Sequence, residues 1–314
     1  TDIDRLLEVP GITENNLANI KDGWNKNKEI NNIMQFLMEH GLSSAFAGKV
    51  YEYYGHDCIE QIREDPYELS RSINGIGFRK SDAIALSLGF SESSPLRIKA
   101  CIEHVITSSE LEGNCFLYRQ QIINGAEEYL GISMDENILM MLNELEMSGT
   151  IVVLRSAMDE DRYYGARLYR NESYCHRKVM DLAMTLREVK IDADALYKHI
   201  KENLSIELSD QQKEAVVGIL RSGVAVLTGA PGTGKTSSTK ALVEALSYIG
   251  MSFLLCAPTG RAAKRMRETI GEDASTIHRL LSWDPLTGGF AHNEKNPLHA
   301  DCVLIDEFSM VDIH

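Results

Sequence analysis

No C-x-x-C pair occurs among the six cysteines of this 314-residue chain. Cys58, Cys101, Cys115, Cys175, Cys256 and Cys302 are scattered, so spacing signals neither a zinc site nor a redox pair. Cys256 and Cys302 lie inside apolar, strand-like runs and read as small core residues. A secretory leader and an apolar run of membrane-spanning length are also missing from the sequence, which leads us to expect a reduced, cytoplasmic protein with no membrane partner. Basic residues are scarce: Lys+Arg total 32 against 46 Asp+Glu, a formal net charge of −14. That balance argues against a ligand held by global positive charge, but leaves room for local basic patches. What remains is ordinary globular material, 44% hydrophobic and 25% charged, enough for two or more packed domains.

Three stretches repeat a theme: "VPGITENNLANI" (9–20), "EHGLSSAFAGKVYEYYG" (39–55) and "INGIGFRKSDAIALSLG" (73–89). Their leading glycines, Gly11, Gly41 and Gly75, are spaced by 30 and 34 residues. Helical patterns such as Ile30, Ile33, Met34, Leu37 and Met38 run between them. Residues 1–95 are therefore expected to form successive helix–hairpin–helix units. From Leu96 the pattern changes to helices over 96–109, 119–130 and 135–148, followed by "TIVVLR" (150–155) and "RYYGARLY" (162–169). Helices followed by two β-prone runs suggest a winged-helix-like domain over 96–203, with helical patterns resuming from about 171 to 203. Its wing carries Asp159, Glu160 and Asp161, which would repel a DNA backbone, so it reads as scaffold or protein-contact surface.

Residues 204–314 alternate strand and helix. "VAVL" (224–227) reads as a short buried strand, and a glycine-rich turn and a helix follow it. "SFLLCAP" (252–258) is the next strand, "GRAAKRMRETI" (260–270) a basic helix, and "CVLIDE" (302–307) a last buried strand. Such alternation implies a mainly parallel sheet with ligands at the carboxyl ends of its strands.

"GAPGTGKT" (229–236) fits G-x-x-x-x-G-K-[ST] in the strand–loop–helix context which that pattern requires. Gly229, Gly232 and Gly234 let the loop, with Ala230, Pro231 and Thr233 between them, turn its N–H groups inward. Those groups and the helix start at Lys235, Thr236 and Ser237 favour phosphate oxygens. Lys235 would place a cation near the β and γ phosphates, and Thr236 would hold Mg²⁺. Asp306 would hold the same ion, commonly through water, while Glu307 would orient or deprotonate an attacking water. ATP and Mg²⁺ are the expected ligands.

The blocks "LSDQQKEAV" (208–216), "GAPGTGKT", "APTGRAAKRM" (257–266), "ASTIHRLL" (274–281) and "VLIDEFSMVD" (303–312) occur in that order. As a set they resemble the N-terminal motor half of RecD-like DNA helicases of superfamily one. The glycine hairpins ahead of them resemble the N-terminal extension of the longer RecD-like proteins. The resemblance implies a multidomain fold: an all-α helix–hairpin–helix region, a winged-helix-like region, and an incomplete RecA-like lobe over 204–314. It implies that Gln212 recognises adenine, with Gln211 the alternative in register. It implies that Pro258, Thr259, Gly260, Arg261 and Lys264 grip DNA phosphates, and that Thr276 and His278 face DNA. A bland reading stands beside each: Arg261, Lys264, Arg265 and Arg267 as a solvated helix face, and His278 as a structural histidine.

In "NGIGF" (74–78), Gly75 and Gly77 are able to take φ > 0 with helix N–H groups following. That is a sequence-independent phosphate grip, which Arg79 and Lys80 would reinforce. Thr13 replaces the second glycine in the first hairpin and is expected to cap the next helix; "HGLSS" is more degenerate still. The stretch 282–300 is turn-rich and compatible with a short hairpin.

The resemblance implies an ATP-dependent translocase and helicase on single-stranded DNA and single-strand/duplex junctions, of 5′→3′ polarity, in repair or recombination. The expected state is a monomer. A motor of this type needs a second lobe supplying an arginine finger, an element worth roughly 10³–10⁵ in rate in related enzymes. The chain opens on Thr1 and ends at His314, and we expect an excerpt of a longer protein that binds nucleotide with negligible turnover alone. Alternative readings are the helicase part of a conjugative relaxase and a non-catalytic, ATP-switched DNA-binding module. A phosphate-loop kinase or GTPase leaves the "APTGRAAKRM" and "STIHR" blocks without a role.

Overall fold

A computed structural model of the chain describes residues 12–133, 138–185, 189–230 and 232–313. The chain forms two compact units, Thr1–Tyr169 and Arg170–His314.

The first unit opens with the long helix α1 (Glu14–Glu39), and Thr13 is its N-cap, its Oγ1 accepting from the Asn16 N–H at 3.3 Å. The capping role expected of Thr13 is thus the observed one; Gly11 lies outside the described residues. At its other end the Leu42 N–H bonds the Leu37 carbonyl at 2.8 Å and the Gly41 N–H bonds Met38 at 3.1 Å. This is the paired bonding of a glycine-terminated helix, so Gly41 stops α1 rather than presenting N–H groups to a ligand. Helices α2 (Ala47–Tyr54), α3 (Cys58–Glu64), α4 (Glu68–Ser72) and α5 (Phe78–Ser87) follow. Ile33, Phe36, Leu37, Val50, Ile62, Leu69 and Ile84 form their common core.

Helix α6 (Pro95–Leu111) starts with proline in its first turn, where no N–H is required. The short strand β1 (Leu117–Tyr118), helices α7 (Arg119–Leu130) and α8 (Ile138–Met147), and strands β2 (Ile151–Leu154) and β3 (Arg162–Gly165) complete the unit. The strands pair antiparallel in the order β1-β3-β2, with Tyr163 opposite both Leu117 and Val153. Ile102, Ile122, Met141, Leu142 and Ile151 share a second core. Residues 166–169, expected to continue the second β run, instead begin helix α9 (Ala166–Ala183).

A buried ion pair sits inside this unit. Arg97 donates to both Asp82 oxygens, from Nε at 2.8 Å and Nη2 at 2.9 Å, and Tyr67 Oη donates to the same carboxylate at 2.8 Å. Arg97 and Asp82 are buried, and the bidentate geometry with the added hydroxyl satisfies the charges. The pair ties α5 to α6.

In the second unit, helices α10 (Ala193–Leu204), α11 (Asp210–Arg221) and α12 (Lys235–Tyr248) precede strand β4 (Phe253–Ala257), helix α13 (Gly260–Ile270), strand β5 (Ala274–Thr276) and helix α14 (Ile277–Leu280). A two-stranded antiparallel hairpin, β6 (Trp283–Asp284) and β7 (Gly289–Phe290), stands within the stretch read as a short hairpin, and strand β8 (Cys302–Ile305) closes the order. The sheet is parallel, β5-β4-β8, with Cys256 opposite Ser275 on one side and Ile305 on the other. Ala241, Leu242, Ala245 and Leu246 of α12 pack with Leu196, Ile200 and Val216 to form the core.

Two sequence expectations are corrected here. Residues 224–227 are not a buried strand: they pair with no sheet edge, and Val226 is 86% exposed. A four-residue apolar run is only compatible with a strand; the pairing that makes it one is non-local. The last strand ends at Ile305 and is half-exposed, with Val303 at 43% and Ile305 at 40%. Cys302 is accordingly half-buried, whereas Cys256 is buried as expected.

Candidate functional site

The phosphate loop leads into α12. Gly234 is the N-cap residue at φ +82°, a left-handed conformation that a side chain would strain. Space is also short: a Cβ at Gly234 would lie 2.5 Å from Gln212 Nε2, and one at Gly229 would lie 2.6 Å from Thr233 Oγ1. Thr233 Oγ1 donates to the Ala230 carbonyl at 2.8 Å, which tightens the turn. Pro231 lies outside the described residues. Lys235 reaches back over the loop and its ammonium donates to the Gly229 carbonyl. Ser238, one turn into the helix, donates to the Gly234 carbonyl at 3.2 Å.

Helix capping in this unit singles out α12. Asp192, Ser209, Thr259 and Thr276 place side-chain oxygens on the first N–H groups of α10, α11, α13 and α14. Gly234, the N-cap of α12, has no side chain with which to cap it. Its leading N–H groups, carrying the positive end of the helix dipole, are the ones left to an anion. The donors, the ammonium of Lys235 and the hydroxyl of Thr236 therefore fit a phosphate chain.

Gln212 meets this loop from α11. Its Nε2 donates to the Gly234 carbonyl at 3.5 Å, while its Oε1 accepts from the Ser209 N–H at 2.9 Å. Ser209 in turn caps the Gln212 N–H, completing a capping box. Gln211 is exposed, and Gln212 is the glutamine in contact with the loop. Reading a base edge with both ends of this amide would compete with the capping box.

Asp306 and Glu307 follow β8 directly. The Asp306 N–H extends the ladder to the Cys256 carbonyl at 3.0 Å, and Asp306 Oδ1 accepts from the Glu307 N–H at 2.9 Å. Glu307 holds φ +53°, a left-handed conformation costing a side-chain-bearing residue about 1 kcal/mol. Both acids are exposed at the carboxyl end of the sheet, where α/β proteins place ligands.

The other marked residues cluster at the starts of α13 and α14. Pro258 and Thr259 follow β4, Gly260 opens α13, and Thr259 Oγ1 accepts from the Ala262 N–H at 3.2 Å. Thr276 ends β5 and caps α14 through the Arg279 N–H at 3.2 Å. A capping hydroxyl spends one lone pair and keeps its own proton to donate. Arg261 is exposed, Lys264 pairs with Glu268 at 3.7 Å, and Arg267 is turned to the Ala274 carbonyl at 2.7 Å. His278 is exposed and packs with Trp283 at 6.0 Å and Phe290 at 5.8 Å, at the root of the β6–β7 hairpin.

In the first unit the third hairpin turns at Gly75, φ +99°, where a Cβ would come within 3.2 Å of the Phe46 ring. Gly77 is extended instead, φ −94°, and forms the N-cap of α5 without a side-chain cap. One of the two glycines read as able to take positive φ therefore does so. Lys80 donates to the Gly75 carbonyl at 2.7 Å and lies 4.8 Å over Phe46, and the Arg79 guanidinium lies 5.5 Å over the Tyr129 ring.

Residues 212–314 match the family model of an AAA domain, and residues 26–116 match that of the HHH domain of an ATP-dependent RecD2 DNA helicase. The chain is 29% identical to the ATP-dependent RecD2 DNA helicase of Deinococcus radiodurans over 321 aligned residues, covering 99% of this chain and 44% of that protein. The chain is thus similar to RecD-like proteins. It is also 27% identical to the RecBCD enzyme subunit RecD of Haemophilus influenzae over 176 residues, 48% of this chain and 28% of the subunit. Against the corresponding subunit of Mycolicibacterium smegmatis it is 34% identical over 128 residues, 33% of this chain and 23% of the subunit. The chain spans less than half the length of these relatives.

The sequence marks the loop and the acids but not the side chains that support them. The capping box was legible as Ser209-x-x-Gln212. His104 and Tyr129, which adjoin Arg79, lie 25 and 50 residues along the chain and carry no local signal that links them to it.

Proposed function

We propose that the chain forms the first part of an ATP-dependent DNA helicase that translocates on single-stranded DNA, 5′→3′, and works at single-strand/duplex junctions in repair or recombination. We retain the division into 1–95, 96–203 and 204–314 as the functional partition, and a cytoplasmic monomer as the working state.

ATP is the substrate, held by the turn from Gly229 to Gly234 and the first turn of α12 through Ser237. Lys235 leaves the Gly229 carbonyl for the β and γ phosphates, and Gln212 reads the adenine. Mg²⁺ held by Thr236 and Asp306 would supply charge neutralisation at those phosphates. Glu307 orients the attacking water and accepts its proton. Pro258, Thr259, Gly260, Arg261 and Lys264, with Thr276 and His278, face the strand, which they meet mostly through phosphates. Gly75, Gly77, Arg79 and Lys80 add a second phosphate grip.

The observation that carries this reading is the helix after the phosphate loop: it alone lacks a capping side chain in a row of five consecutive helices, α10 to α14. The test is Lys235→Ala in the whole protein. DNA-stimulated ATP hydrolysis should fall to background while single-strand binding largely persists. Undiminished turnover would overturn the assignment.

A further inference from the structure

Beside the third hairpin the first unit opens into a notch of about 270 Å³, lined by Gly77, Phe78, Arg79, Lys80, His104 and Tyr129. Its back wall is a column of rings. Phe78, buried, stacks on Tyr67 with centroids 5.9 Å apart and an interplanar angle of 16°, and on His104 at 5.3 Å and 14°. Tyr129 meets His104 edge-on at 4.7 Å and 74°. His104 and Tyr129 are half-buried, while Arg79 and Lys80 are exposed. Burial, and then the charge of Arg79, hold the His104 pKa below its ordinary value, so the ring is neutral at neutral pH and the positive charge of the notch belongs to Arg79 and Lys80.

A helix start flanked by glycines accounts for a phosphate grip and for nothing more. The notch adds aromatic surface within reach of that grip, and the Arg79 guanidinium lies over the Tyr129 ring, in the place a stacked base would take on moving it to the phosphate. Aromatic faces beside cations are the arrangement by which proteins hold unpaired bases, because each base has a π-face and each nucleotide a phosphate. A paired base cannot offer its face, since its neighbours in the duplex cover it. An apolar peptide would use the rings and leave Arg79 and Lys80 without a partner.

We infer that this notch takes one unpaired nucleotide of a DNA strand, its base against Tyr129 and His104 and its phosphate on Arg79 and the start of α5. The inference rests on the proposed DNA contact of the third hairpin and deepens it: the hairpin binds single strand rather than duplex.

The test uses the whole 314-residue chain and an oligothymidylate carrying 5-iododeoxyuridine, which cross-links to adjacent aromatic residues on irradiation. The readout is cross-linked peptide from α5 to α7, because the second unit has its own proposed DNA surface. Cross-links are expected at Tyr129 or His104. Unmodified oligothymidylate should compete about tenfold better than an abasic strand of equal length, the range expected for one stacked base. Tyr129→Leu should remove that preference and Tyr129→Phe should restore it. Equal competition by the two strands, with Arg79→Gln weakening both, would overturn the base pocket while leaving the phosphate grip standing. Cross-linking without any yield from these helices would overturn the hairpin contact and the pocket together.

Discussion

Helix α5 in the first unit and α12 in the second both begin at a glycine and both lack a capping side chain. In each, a glycine two residues before the N-cap takes positive φ: +99° at Gly75 and +83° at Gly232. In each, a lysine of the first turn bends back to a glycine carbonyl, Lys80 to Gly75 and Lys235 to Gly229. The backbone device is therefore shared, and the surroundings differ. Around α12 stand hydroxyls and an amide, Thr233, Thr236, Ser238 and Gln212. Around α5 stand rings, Phe46, Phe78, His104 and Tyr129. On the readings proposed above, one helix start serves a phosphate chain with a metal ion and the other a phosphate with a base attached.

Substitutions can separate the two. The largest contrast is the loss of turnover expected for Lys235→Ala in the whole protein, since Lys80 has no reacting phosphate to serve. Next is the buried support of α5. Asp82→Ala leaves the Arg97 guanidinium uncompensated beside Tyr67 and should cost about 3–5 kcal/mol in urea unfolding, with the phosphate loop untouched. A variant within 1 kcal/mol of wild type, roughly the worth of a single neutral hydrogen bond, would show that the tie between α5 and α6 is dispensable. Gly75→Ala comes third. It places a Cβ 3.2 Å from the Phe46 ring at φ +99° and should cost about 1–2 kcal/mol, read as a lowered urea midpoint at unchanged slope.

The smallest effect is a pH dependence. Burial and Arg79 lower the His104 pKa from its ordinary 6.5. The unfolded chain then binds a proton that the fold does not, so stability is complete above about 6.5 and declines as pH falls through the window below it. His104→Gln should flatten the midpoint-against-pH curve between pH 5 and 7; an unchanged slope would place the histidine outside the ring column.

Local signals were legible where chemistry is local. The span 119–130 was read from the sequence with the bounds that α7 has, because its apolar spacing is regular and glycine ends it. Gly41 and Thr13 announced the end and the start of α1 by residue type. The phosphate loop was legible because its glycines, lysine and threonine lie within eight residues. Residues 224–227 misled because an apolar run reports compatibility with a sheet, not the presence of a neighbour. β5 was overlooked because "AST" has little apolar content and becomes a strand only beside β4. The bond of Arg97 to Asp82 and the rings beside Arg79 needed three-dimensional proximity that no spacing encodes.

The side chain of Gln212 has a consequence for selectivity. Its two ends are already employed, one closing the first turn of α11 and the other touching the loop at Gly234. A purine that replaces both of these partners loosens the helix that carries the amide. Discrimination among nucleotides would then be weighed against fraying at Ser209, and slower amide exchange in that turn would accompany the nucleotides that bind without disturbing it.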